Sequence, residues 1–109
     1  MKNYILAPSI IASDFIHLAD EIAACESAGA GWLHMDVMDG NFVPTITIGP
    51  LFLEACKRVT KLPLDVHLMV AQPERHLEEF AKAGATNLTV HVEACADLEK
   101  TVQQIKSLG

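Results

Sequence analysis

Apolar residues recur along this chain with two alternating periods, and the switches between them divide it into strands and helices. Tyr4 to Ser9 is a short apolar run that predicts a first strand. Ser13 is placed to cap the following helix, whose inward stripe is Phe15, Leu18, Ile22 and Cys25, and Gly29 and Gly31 end it. The period then shortens to two, with Leu33, Met35 and Val37 alternating with His34 and Asp36, which predicts a second strand. A long loop from Asp39 to Pro50 leads to a short helix over 51–59. Period two returns at Leu64, Val66 and Leu68, alternating with Asp65 and His67. Pro73 opens a third helix at its favoured first position, with Leu77 and Phe80 inward and Gly84 as the stop signal. A fourth strand is predicted from Asn87 to Val92, apolar at 88, 90 and 92. A last helix starts from Asp97, with Leu98, Val102 and Ile105 on one buried face.

Strands alternating with helices predict a parallel sheet with right-handed crossovers, here four βα units. One strand face takes the helices. The other carries Ser9, His34, Asp36, His67, Thr89 and His91, mixed with Ile5, Ala7, Ile11 and Trp32. That face is too apolar for open water and too polar for a helix-packed layer, and it suits the interior and mouth of a closed barrel. Such a barrel needs eight units and about 250 residues. The expected fold class is therefore α/β, the N-terminal half of a (β/α)₈ barrel, with residues 1–109 forming one incomplete (β/α)₄ domain that stops where a fifth strand would begin. No internal twofold repeat is visible within it.

Residues two apart on a strand share a face, so His34 and Asp36 point the same way. The apolar sets of the second and third strands put His67 on that face as well. Two imidazoles and a carboxylate converging there form a mixed nitrogen and oxygen ligand set suited to a divalent metal, zinc or iron(II), with manganese or cobalt as further options. Each histidine taken singly reads as a polar core residue. The three on one phase read as a site.

Half of the 109 residues are apolar, enough for one core, and no apolar run reaches the about 20 residues of a membrane span. Met1 to Tyr4 lead straight into a strand-like run rather than a signal sequence, so a cytoplasmic protein is expected. Cys25, Cys56 and Cys95 lack any C-x-x-C spacing and read as reduced thiols. A net charge of −6 argues against a nucleic-acid or anionic-membrane partner, which would need a basic stripe that the sequence lacks.

The blocks Ala7-Pro8-Ser9-Ile10, Ser13-Asp14, Leu33 to Pro44, Ile48-Gly49-Pro50 and Asp65 to Met69 closely resemble ribulose-phosphate 3-epimerase, and the resemblance runs over the whole chain. Thr45 departs from the asparagine usual after that proline. The resemblance implies a ribulose-phosphate-binding TIM barrel and a pentose phosphate pathway enzyme. It would interconvert D-ribulose 5-phosphate and D-xylulose 5-phosphate by proton abstraction and return through an ene-diolate. On that basis Asp36 is one acid/base group, His34, Asp36 and His67 hold the metal, and Ser9 and His67 contact the sugar phosphate. Met38 and Met69 wall the reaction space. His91 matches no ligand position and reads as structural. The second catalytic carboxylate and the phosphate grip are expected beyond Gly109. Alternatives are an epimerase for a related ketohexose phosphate such as allulose 6-phosphate, a metal-binding module without turnover, and an inactive half-barrel. Two open edges and a half-apolar inner face predict a homo-oligomer or association with a complementary half-barrel.

Overall fold

The structure is a computed structural model that describes residues 3–109; the reading of Met1 and Lys2 as leading into a strand-like run lies outside the described residues. Three strands, β1 (Leu33–Met38), β2 (Leu64–Met69) and β3 (Ala85–Thr89), form a parallel sheet in the order β1-β2-β3. Alternating with them are α1 (Leu18–Ser27), α2 (Pro50–Lys57), α3 (Leu77–Ala83) and α4 (Leu98–Ser107). This is the predicted α/β arrangement, consistent with part of a barrel wall.

The period-two reading holds on β1 and β2. Leu33, Met35 and Val37 on β1 and Leu64, Val66 and Leu68 on β2 are buried, while the residues between them are only partly covered. The buried set packs against Ile22 of α1, Leu53 and Cys56 of α2, and Leu77, Phe80 and Ala83 of α3, so one sheet face carries the core. At about 25 cal/mol per Å², that apolar burial is what chiefly holds the strands to the helices. The other face is left to His34, Asp36, Asp65 and His67.

Several predicted features come out differently, among them the third helix, where Pro73 opens a 3₁₀ turn, Pro73–Arg75, and α3 begins only at Leu77. The Tyr4–Ser9 segment runs beside β1 without forming a ladder. The Leu6 carbonyl accepts from the Gly31 and Trp32 amides and the Pro8 carbonyl from the His34 amide, but only Ser9 makes a bridge, to His34. Pro8 has no N–H to give back, which breaks the reciprocal pattern of a strand pair. The cap ahead of α1 is Asp14, whose carboxylate accepts from the Ile16 amide, whereas the Ser13 hydroxyl is spent on the Ile10 carbonyl. One turn of 3₁₀ helix, Phe15–His17, precedes α1 and takes Phe15, 43% exposed, out of the predicted inward stripe.

The fourth predicted strand ends early. A 3₁₀ turn, Val92–Ala94, takes over after β3, and Val92 is 58% exposed because the turn carries it out of the ladder. On α4 the inward residues are Thr101 and Ile105, while Leu98 and Val102 lie at the surface. Within α4 the Thr101 hydroxyl donates to the Asp97 carbonyl and Asp97 caps the Lys100 amide, while Gln104 Nε2 donates to the Glu74 carbonyl.

Candidate metal centre

Parallel pairing in register sets Asp36 opposite His67 and His34 opposite Asp65, so the alternate residues of two strands meet on the face away from the helices. Asp36 is the hub. Its Oδ1 lies 3.1 Å from His34 Nε2 and 3.1 Å from His67 Nδ1, and its Oδ2 accepts from the Ser9 hydroxyl at 2.5 Å. The bridge between Ser9 and His34 brings that hydroxyl to the cluster. Ser9, His34, Asp36 and His67 are thus gathered as the sequence predicts, and the donor atoms of His34, Asp36 and His67 lie within 4.8 Å of one another.

Two further residues join them. Asp65 Oδ2 is 2.8 Å from His34 Nδ1, the nitrogen turned away from Asp36. This carboxylate–imidazole pair fixes the ring and leaves Nε2 facing the cluster, the arrangement that commonly supports a metal-ligating histidine. His91 Nε2 lies 2.7 Å from His67 Nε2, with the two rings stacked at 4.9 Å between centroids. The sequence reading placed His91 on this face without a part in the cluster, and it passed over Asp65. Asp65 shares the phase of His67 and could have been found by aligning the two strands in register. His91, read as structural, reaches the cluster from beyond the end of β3.

The charges at the centre favour ionised groups. Burial, the largest single influence, lowers the His34 pKa, but the hydrogen bond to Asp65 and the charges of Asp36 and Asp65 outweigh it and hold the imidazole above its ordinary value. For Asp36 burial again acts most strongly, upward. Hydrogen bonds from Ser9 and His67 and the charge of His34 more than offset it, so the carboxyl sits below the usual range. A carboxylate ionised at neutral pH between two imidazole nitrogens is a fitting donor set for a borderline divalent cation.

The loop after β1 is tied to this centre. The Thr47 hydroxyl donates to the Asp36 carbonyl and accepts from the Met38 amide, while the Thr47 amide donates to the Met38 carbonyl. Asp39 accepts from the amides of Asn41, Phe42 and Ala71 and so joins this loop to the one after β2. Met38 and Met69 stand side by side at the ends of β1 and β2, both partly covered, next to the cluster. Among the described residues no helix is long and apolar enough to cross a membrane.

Residues 5–109 match the family described as the Ribulose-phosphate 3 epimerase family. The chain is 54% identical over 110 residues to a ribulose-phosphate 3-epimerase of Synechocystis sp., a match covering 99% of this chain and 48% of that protein. It is 57% identical over 104 residues to the Bacillus subtilis protein of the same name, covering 95% and 48%. The chloroplastic ribulose-5-phosphate-3-epimerase of Arabidopsis thaliana is 52% identical over 110 residues, covering 99% of this chain and 39% of that protein. The chain spans about half the length of the curated relatives it matches.

Proposed function

The chain belongs to the ribulose-phosphate 3-epimerase family, and from that premise we propose that it serves the metal-dependent 3-epimerisation of a ketopentose phosphate, D-ribulose 5-phosphate to D-xylulose 5-phosphate. The observation that carries this reading is the single Asp36 oxygen held 3.1 Å from both His34 Nε2 and His67 Nδ1. Inverting a carbon beside a ketone requires a proton to leave from one face and another to return on the opposite face.

In this reading Asp36 takes or returns the proton through Oδ2, the oxygen that Ser9 holds, while Oδ1 stays with the imidazoles. Ser9 then turns its hydroxyl to the sugar, and His67 lies against the substrate. His34, Asp36 and His67 would hold a divalent metal, zinc, iron(II), manganese or cobalt. When bound, it supplies Lewis-acid stabilisation of the negative charge that develops on the substrate oxygens. Asp65 keeps His34 turned toward the site. The depressed pKa of Asp36 keeps it ionised near neutrality, the form a base or a ligand must have, at some cost in basicity. Met38 and Met69 supply apolar walls that limit water.

We read residues 1–109 as one half-barrel domain, a (β/α)₄ unit whose first strand is the Tyr4–Ser9 segment lying beside β1 without a ladder, and assign the second acid/base group and the phosphate grip to the part of the family fold outside the matched region. The test is a chimera in which this chain replaces the matching half of the Bacillus subtilis relative, assayed with D-ribulose 5-phosphate and with D-allulose 6-phosphate. Turnover of the pentose phosphate is expected, lost on chelation and restored by one of the four metals. In the same chimera Asp36→Asn should cost at least about 10²-fold with the circular dichroism unchanged. Activity within a few-fold of the parent would remove Asp36 from the chemistry, and preference for the hexose phosphate would change the substrate assigned.

A further inference from the structure

His67 and His91 meet nitrogen to nitrogen, Nε2 to Nε2 at 2.7 Å. Two imidazole nitrogens at that distance have one proton between them, so one donates and the other accepts. The remaining nitrogen of His67, Nδ1, faces Asp36 Oδ1 at 3.1 Å, where it donates to the ionised carboxylate; ligating a metal there requires the opposite tautomer, with the Nδ1 lone pair free. The tautomer of His67 therefore decides what Nδ1 can do: with the proton on Nε2, Nδ1 offers a lone pair, and with the proton on Nδ1 it offers none.

His91 is held in place for this contact. Phe42 packs on its ring at 5.3 Å between centroids, and its carbonyl accepts from the Ala94 amide and the Cys95 thiol in the turn that ends the strand region. Phe42 is itself fixed by the Asp39 carboxylate through its amide. The ring is thus clamped between His67 and an aromatic neighbour, with its backbone pinned.

We propose that His91 is a positioning residue that accepts the Nε2 proton of His67 and so leaves Nδ1 of His67 unprotonated toward the metal centre. This rests on the metal reading above. The centre then has two different outer supports, since His34 is backed by the Asp65 carboxylate and His67 by a neutral acceptor. Replacing such a partner typically weakens metal binding 10- to 100-fold. A side chain of the same shape without an acceptor, His91→Phe, loses the function, and an amide oxygen in its place, His91→Gln, restores part of it.

The experiment uses the full chain labelled with ¹⁵N-histidine, with Zn(II) alone as the probe. Long-range ¹H–¹⁵N spectra assign the imidazole tautomers, calorimetry gives the Zn(II) dissociation constant, and circular dichroism checks folding of each variant. Expected for the parent with Zn(II) is a proton on His67 Nε2 and none on His91 Nε2. His91→Phe should weaken Zn(II) binding by about 10-fold or more and broaden or shift the His67 ring signals while those of His34 stay put. His91→Gln should recover to within a few-fold of the parent. Three outcomes overturn the proposal: a proton on His91 Nε2 in the Zn(II)-loaded parent, which needs no variant; a folded His91→Phe that binds Zn(II) within twofold of the parent; or equal losses in His91→Phe and His91→Gln. If Zn(II) moves neither His34 nor His67 signals in the parent, the metal reading itself fails, and the proposal falls with it. That result is distinct from a parent that binds Zn(II) indifferent to residue 91.

Discussion

Single residues in this chain are sorted by which side of the sheet they take. Leu64 is fully buried in the core, whereas Ile16, also apolar, stands 89% exposed on the turn ahead of α1. Leu64→Ala should cost about 2–5 kcal/mol because the cavity cannot close between two strands and their helices, while Ile16→Ala should change the denaturation midpoint little. Chemical denaturation of both variants checks this, and comparable losses would contradict the burial assignment. The cysteines divide in the same way. Burial pushes the Cys56 thiol up to about 11, and Cys56 is enclosed between α2 and the sheet. The reactive thiolate is therefore scarce near neutrality, so iodoacetamide at pH 7.5 should label Cys25 and Cys95 well before Cys56 in the native protein. Mass spectrometry of the labelled peptides reads the order directly.

At the scale of elements, caps and loop ties decide how the pieces sit. Asp14→Ala should remove the cap ahead of α1 and cost about 0.5–2 kcal/mol, more than Ser13→Ala, in thermal melts of the two variants. The reverse order would return the cap to Ser13. The loop after β1 depends on Asp39, whose carboxyl is held below the ordinary range by the Ala71 amide first and by the Asn41 and Phe42 amides with it. A depressed folded pKa means that folding favours the ionised form, so the tie is fully present above the ordinary carboxylate pKa and is lost as pH falls through the lowered value. The Ala71 amide resonance should accordingly titrate with a midpoint below the ordinary carboxylate range. A midpoint within or above that range would show that the tie does not form in solution.

The molecule as a whole leaves one sheet face without helices. Beside that face Tyr4, Ile5 and Leu6 are exposed by 67%, 55% and 51%, and among the described residues β3 has no neighbour on its far side. Apolar surface next to an open parallel edge favours association. Light scattering should give a mass that rises with concentration above the 11.8 kDa of one chain, and Ile5→Lys with Leu6→Lys should reduce it. A mass of one chain at all concentrations would refute the association. With only Asp36 offered as acid/base group, the chain alone should be silent in an epimerase assay that the chimera passes.

What the sequence determined by itself follows from the pleat. Alternation of side chains is a covalent property of an extended chain, so Leu33, Met35 and Val37 inward entails His34 and Asp36 outward, and likewise for His67. The α/β order of elements and the three-residue cluster were legible for that reason. Tertiary structure decided what depends on alignment between segments. Asp65 became the partner of His34 only through the register of β1 on β2, and His91, extended and two residues past Thr89, met His67 only through the register of β3 on β2. The first segment fell short of a strand because Pro8 cannot donate, and α4 buries Thr101 while Leu98 and Val102 stay at the surface, with Gln104 tied to the Glu74 carbonyl. Local periodicity specifies which face a residue takes. Which residue it meets across that face is a property of packing, set when the strands and helices settle against one another.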